Sequence, residues 1–190
     1  MRPGRVRPLA APGEDCLAPL ASVLPGLRSG DLVFRTGRDL MARIVLSRGS
    51  DTRFSHVGIL LRTPSGLLVV HAVPDEEGHP GGVLVEPLEA FASAETARDL
   101  GFYRLEALDE AAASRAALRA RDWRGRTFDA AFRYGDDREL YCTELVMKAL
   151  EPELPGLPSR VEPLSVPLVP EPVFPPDHLR RMPGLRSLAP

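Results

Sequence analysis

The chain has 190 residues, of which 44% are hydrophobic and 26% are charged, and its formal net charge is -2. This length suits one domain with a real hydrophobic core and is short for two. The charge balance lacks the basic excess typical of nucleic-acid binding, so we expect no nucleic acid as partner. The two cysteines, Cys16 and Cys142, lie far apart in unlike surroundings and indicate no disulfide framework.

Residues 1–27 are rich in Pro, Gly and Ala and predict a flexible leader. Their arginines are not followed by the apolar stretch of a secretory signal. No window approaches the roughly 18 apolar residues of a membrane-spanning helix. The sequence therefore predicts a cytoplasmic protein without stable membrane insertion.

Residues 28–151 carry the pattern of one α+β domain. A strand at 30–34 precedes a helix at 39–46, and two apolar runs at 55–62 and 67–73 flank a Thr-Pro-Ser-Gly turn typical of a hairpin. Further patterns predict strands at 83–87 and 101–105 and helices at 107–123 and 141–151. About five strands in an antiparallel sheet or partial barrel, packed by helices, are expected.

The composition changes after residue 151. Eleven of the twenty prolines lie in residues 151–190, which excludes a long helix or a central strand there. We expect residues 152–190 to form an extended tail along the surface, with a partner-binding proline-rich arm as the alternative.

The predicted hairpin brings two histidines together. If Thr63 faces Gly66 across the turn, His56 pairs with Val73 and Gly58 with His71. Both histidines then lie on one face as diagonal neighbours, roughly 7–8 Å apart at the backbone. A slip of one residue would separate them, since side chains alternate between faces. Two unrelated polar positions are the alternative.

Cys142 is predicted at the start of the last helix. It lies on the side of the apolar stripe that includes Leu145 and Val146. The positive end of the helix dipole favours a thiolate there, so we expect a lowered Cys142 pKa and a nucleophile. A small buried hydrophobe is the alternative. Glu144 and Lys148, four residues apart on this helix, are expected to form a solvent-facing pair.

Five motifs in this order resemble one family. They are GDLVF at 30–34, SHVGI at 55–59, VHAVP at 70–74, VEPL at 85–88 and YCTELV at 141–146. Together they resemble the YiiX/YebB-like branch of the NlpC-type cysteine hydrolases. The resemblance implies a circularly permuted papain-like fold in which the nucleophile helix follows the histidine strands.

Transferred motif by motif, the resemblance implies Cys142 as nucleophile, His56 as base and His71 as the group that orients the base. Their residue types suit hydrolysis of an amide through a thioester, without a cofactor. Glu86 and Tyr141 are candidates for binding a small-molecule or peptide-like substrate. A surface salt bridge for Glu86 and core packing for Tyr141 are the alternatives.

Three other functions fit the same residues. A lipid-directed enzyme resembling the lecithin:retinol acyltransferase family also uses two histidines followed by a cysteine. A non-catalytic module could bind a peptide or glycan in the same cleft. Two histidines and a cysteine could also bind zinc. The absence of a membrane-directed segment favours a soluble amide, such as a peptide, a cell-wall-type fragment or an amide conjugate.

Overall fold

A computed structural model of the chain describes residues 18–37, 52–76, 80–165 and 171–188. The predicted helix at 39–46, Cys16 and most of the leader lie outside these residues. The described part has six strands, β1 Leu32–Gly37, β2 His56–Thr63, β3 Gly66–Val73, β4 Gly82–Pro87, β5 Ala97–Leu105 and β6 Leu185–Ser187. The helices are α1 Ala18–Val23, α2 Leu88–Phe91, α3 Glu110–Asp122, α4 Cys142–Leu150 and α5 Pro176–Arg180. Short 3-10 turns occupy Leu24–Gly26 and Leu157–Arg160.

The strands form one antiparallel sheet in the order β4-β3-β2-β1-β5-β6. The α+β, antiparallel prediction is confirmed, with six strands where about five were expected. The additional strand, β6, comes from the proline-rich tail and pairs with β5. It can do so because it lies at the sheet edge, where it needs only one row of ladder hydrogen bonds.

Both faces of the sheet are covered. Alternating residues of β2 point to opposite sides, so that Val57, Ile59 and Leu61 pack with α3 and α4 in the larger core. Leu60 belongs to a second core on the other face, together with residues of α1 and α2. The site described below lies where the N-terminal ends of β2 and α4 meet.

The hairpin of β2 and β3 has the predicted register. Thr63 pairs with Gly66 across the turn, and the ladder continues to the pair Ile59 and Val70. Gly66 has φ 135°, which a glycine adopts readily and other residues do not. The ladder of paired residues between the two strands ends at Ile59, three residues after His56. The strand ends that carry His56 and Val57 are therefore available for contacts other than β3 backbone pairing.

Candidate active site

His56, His71 and Glu86 form a connected row of side chains. Nε2 of His56 lies 2.8 Å from Nδ1 of His71, and Nε2 of His71 lies 2.9 Å from Oε1 of Glu86. Glu86 is on β4, where it pairs with Val69, two residues before His71 on the neighbouring strand. The diagonal placement of residues on adjacent strands thus joins three strands into one polar row.

The row fixes which ring nitrogens carry protons. Because an ionised carboxylate only accepts, the 2.9 Å contact between Glu86 and Nε2 of His71 favours a neutral His71 ring with its proton on Nε2. Its Nδ1 then accepts from Nε2 of His56. A neutral His56 ring protonated at Nε2 has an unprotonated Nδ1, which is the state that a general base requires.

The pKa values of this row keep both rings neutral near pH 7. Burial lowers the pKa of His56 well below 6.5, and the charge of Arg35 and the neighbouring His71 lower it further. Burial also lowers the His71 pKa, against the opposing effect of Glu86. For Glu86, burial acts to raise the pKa, but His71 and Arg35 outweigh it and the pKa is lowered.

Two residues that sequence reasoning missed support the histidines. Arg35 pairs with His56 across β1 and β2, and its guanidinium lies 4.4 Å from the ring centroid of Phe91. Phe91, fully buried at the end of α2, is also 5.7 Å from the His56 ring and 5.1 Å from the His71 ring. The β1–β2 register would reveal Arg35, but no pattern in the sequence indicates Phe91.

Cys142 is the first residue of α4, and its thiol lies against the N-terminal end of β2. The backbone N–H groups of Val57, Thr143 and Cys142 lie near enough to the sulfur to act on the thiol pKa, and the Thr143 hydroxyl lies 3.9 Å from it. Val57 is adjacent to His56, which places the sulfur one residue along β2 from the candidate base. No hydrogen bond joins the thiol to the His56 ring in the described part of the chain. Catalytic groups of substrate-free enzymes often lack such a hydrogen bond.

The expectation of a lowered thiol pKa is wrong for this structure. Burial raises the pKa of Cys142, and the surrounding N–H donors only partly oppose it. The helix dipole was visible in the sequence, but the removal of water by the β2 end was not. The resting pair is therefore a thiol and a neutral imidazole.

The other predicted residues occupy defined positions. Tyr141 is buried, and its hydroxyl accepts from the Phe174 N–H at 3.3 Å, which favours the packing role over substrate contact. Glu144 does pair with Lys148 at 2.9 Å, but the expectation that the pair faces solvent is wrong, because the Glu144 side chain is 0% exposed. Glu144 also accepts from the Tyr141 N–H at 3.2 Å, closing the first turn of α4.

Comparison with known proteins places the chain in a family. Residues 26–160 match the model of the permuted papain-like amidase enzymes of the YaeF/YiiX, C92 family. The chain belongs to this family. It is accordingly a thiol hydrolase of the cysteine peptidase or amidase type. No curated protein sequence matches it significantly.

A solved structure of another protein has a similar fold. The crystal structure of the metalloprotein yiiX from Escherichia coli O157:H7 superposes with a TM-score of 0.68 at 19% identity, covering 85% of this chain and 96% of that one. Within the part of the chain that is described, no helix is long and apolar enough to cross a membrane.

Proposed function

We propose that the amidase cleaves the amide bond of a soluble substrate, such as a peptide, a cell-wall-type fragment or an amide conjugate, through a thioester on Cys142. The observation that carries this proposal is the row from Glu86 through His71 to His56, which favours an unprotonated Nδ1 on His56. His56 directly precedes Val57, whose backbone N–H lies near the thiol. His56 is the base and His71 the residue that orients it.

In the first step His56 Nδ1 takes the thiol proton, and the Cys142 sulfur attacks the amide carbonyl carbon. The charge on the resulting imidazolium is shared along His71 toward Glu86. The tetrahedral intermediate then collapses, the carbon–nitrogen bond breaks, and His56 gives the proton to the leaving amine. In the second step His56 takes a proton from water, whose oxygen attacks the thioester and releases the acid and the thiol.

The oxyanion of the tetrahedral intermediate needs donors near the sulfur. The N–H groups of Cys142 and Val57 act on the thiol pKa and so lie near the sulfur, which makes them the candidate donors for this role. Because the thiol pKa is raised, proton removal is coupled to attack and no preformed ion pair is needed. The rate should therefore rise with pH as His56 loses its proton and level off above the pKa of His56, which lies well below 6.5.

A metal site is the second candidate, because the structural neighbour is described as a metalloprotein. The histidine row does not fit it well. Both ring nitrogens of His71 are engaged by His56 and Glu86, which leaves His56 and Cys142 as ligands, fewer than a zinc site uses. No group of three or more His, Cys, Asp or Glu side chains within the described ranges is placed to hold a metal ion. Metal analysis of the purified protein tests this directly.

The proposal is tested by offering amides, esters and phospholipid vesicles at matched concentrations and analysing the Cys142 peptide by mass spectrometry. We expect an acyl adduct on Cys142 from amide substrates, and turnover that is lost in Cys142→Ala. Release of fatty acid from vesicles, dependent on Cys142 and without amide turnover, would replace the proposal with the lipid-directed reading. Amide binding without any adduct or turnover would favour the binding module.

A further inference from the structure

The C-terminal tail makes a buried contact just before the strand of the candidate base. Asp177, in α5, is 1% exposed although it carries a carboxylate. That carboxylate accepts from the backbone N–H of Phe54 at 2.8 Å and from that of Arg53. These residues immediately precede Ser55 and His56. Hydrogen bonds from backbone amides to a buried carboxylate are among the stronger ones in proteins, so the tail fixes the entry to β2.

The same tail contacts the residue before the candidate nucleophile. The Phe174 N–H donates to the hydroxyl of Tyr141 at 3.3 Å, and Tyr141 directly precedes Cys142. Only two residues of the tail thus separate Phe174, which contacts the residue before the cysteine helix, from Asp177, which contacts the segment before the histidine strand. Both tail residues, Phe174 and Asp177, lie outside residues 26–160, the part that matches the family.

The tail is itself anchored, so it can act as a fixed reference. Leu179 and Met182 are buried in the core that includes α4, and α5 packs against α4. Arg180 pairs with Asp177 at 2.5 Å. Its guanidinium lies 5.8 Å from the Phe54 ring centroid, and that of Arg53 lies 4.6 Å from it on the same ring. The buried Phe54 is therefore held by the tail and by its own neighbour.

We propose that Phe174 and Asp177 form a tail clamp that sets the distance between Cys142 and His56. The inference rests on the proposed function, in which these two residues exchange a proton. Because the thiol and the imidazole are not hydrogen-bonded, no direct bond between them sets their spacing. The clamp instead holds the side-chain hydroxyl of Tyr141, one residue before Cys142, and the backbone N–H of Phe54, two residues before His56. Phe174 and Asp177 are positioning residues, not catalytic ones.

The test measures alkylation of Cys142 by iodoacetamide between pH 5 and 9, in a chain with Cys16→Ser so that one thiol reports. The difference between this chain and its His56→Ala variant defines the His56-dependent rate. Asp177→Ala is expected to lower that rate by roughly 10- to 100-fold, since a displacement of about 1 Å has such effects on reacting groups. Asp177→Asn keeps an oxygen for both amides and should recover most of the rate.

Asp31 provides a matched control. It is also 1% exposed, accepts from the Arg28 N–H at 2.8 Å and pairs with Arg104 at 2.7 Å. Asp31 directly precedes β1, whereas the residue of β1 that pairs with His56 is Arg35, four positions further along the chain. Asp31→Ala should lower the thermal unfolding temperature as Asp177→Ala does and leave the His56-dependent rate and its pH profile in place. Tyr141→Phe, which removes one hydroxyl and keeps the packed ring, should reduce the rate by a few fold even if Asp177→Ala does not fold.

Equal losses in Asp177→Ala and Asp31→Ala would overturn the clamp and reduce it to a general contribution to stability. A full His56-dependent rate in both folded Asp177→Ala and Tyr141→Phe would also overturn it, while the base assignment stood. Labelling of His56→Ala that matches the parent chain would instead remove the base assignment, and the clamp with it.

Discussion

The two sides of the proposed active site are held in place by different kinds of contact. On the histidine side, the His56 ring contacts other side chains, which are His71, joined in turn to Glu86, and Phe91. On the cysteine side, the Cys142 sulfur is surrounded mainly by backbone N–H groups, and a side chain contributes only the Thr143 hydroxyl. A row of side chains can be shortened or altered by substitution, whereas backbone donors cannot. Substitutions on the histidine side should therefore reduce the activity by different amounts, depending on the residue changed.

The largest effect should come from removing one reacting group from each side. We expect Cys142→Ala and His56→Ala each to reduce kcat/KM by about 10⁴-fold or more, because nucleophile and base act as a unit. The two losses should not add in the double variant. Steady-state kinetics on an amide substrate measure this, with Cys16→Ala as the control that retains activity. Substantial turnover by Cys142→Ala would move the chemistry to another group.

The next effect belongs to the second residue of the histidine side. His71→Asn retains a donor and an acceptor but not the length of the imidazole, so His56 loses its fixed orientation. We expect kcat to fall about 10- to 100-fold with KM little changed. The informative comparison is between the loss of activity in His71→Asn and the loss in His56→Ala. A loss in His71→Asn that exceeds the loss in His56→Ala would exchange the roles of the two histidines.

Glu86→Gln should have a smaller effect, because it removes charge from the far end of the row while keeping an oxygen acceptor. A charge-assisted hydrogen bond exceeds a neutral one by about 1 kcal/mol, which corresponds to a reduction of roughly fivefold in kcat. Glu86 raises the pKa of His71. Its loss should therefore lower the His71 pKa. Because a protonated His71 can no longer accept from His56, the part of the acid limb that reports protonation of His71 should move to lower pH.

The exposed Glu89, three residues further on, supplies the control for Glu86, since Glu89→Gln should change neither kcat nor the pH–rate profile. A profile for Glu86→Gln identical to wild type would show that Glu86 does not act on the histidines. In that case the predicted contact of Glu86 with substrate would be tested next, by measuring the KM of Glu86→Gln.

The difference between the two sides also explains what the sequence could predict. The joining of His56 and His71 follows from the turn at Thr63 and Gly66, because register in a hairpin is local information. The start of α4 at Cys142 follows from its apolar spacing. The thiol pKa does not, since it depends on burial against β2, and the same holds for Glu144, which the helix pattern placed in solvent. Arg35, Phe91 and Asp177 reach the site through contacts between distant segments.

The smallest effect concerns the stability of the cysteine side. Burial raises the pKa of Glu144 to about 7 from its ordinary value of 4.5, against the opposing effect of Lys148. A carboxyl with a raised folded-state pKa stays protonated in the native state while it ionises in the unfolded chain. Its contribution to stability therefore falls as pH rises from about 4.5 to about 7, by at most about 1.4 kcal/mol per pH unit.

The substitution Glu144→Gln removes this pH dependence, and the glutamine can still accept from the Tyr141 N–H. The free energy of unfolding of the variant minus that of wild type should be larger at pH 8 than at pH 5. Urea unfolding of both proteins at both pH values measures this difference. The histidines titrate in the same range with the opposite sign, but they are common to both proteins and cancel in the difference. Glu110→Gln, on the exposed first turn of α3, is the control that should show no such change. A constant stability difference between wild type and Glu144→Gln from pH 5 to 8 would mean that Glu144 is ionised throughout, with its charge fully balanced by Lys148.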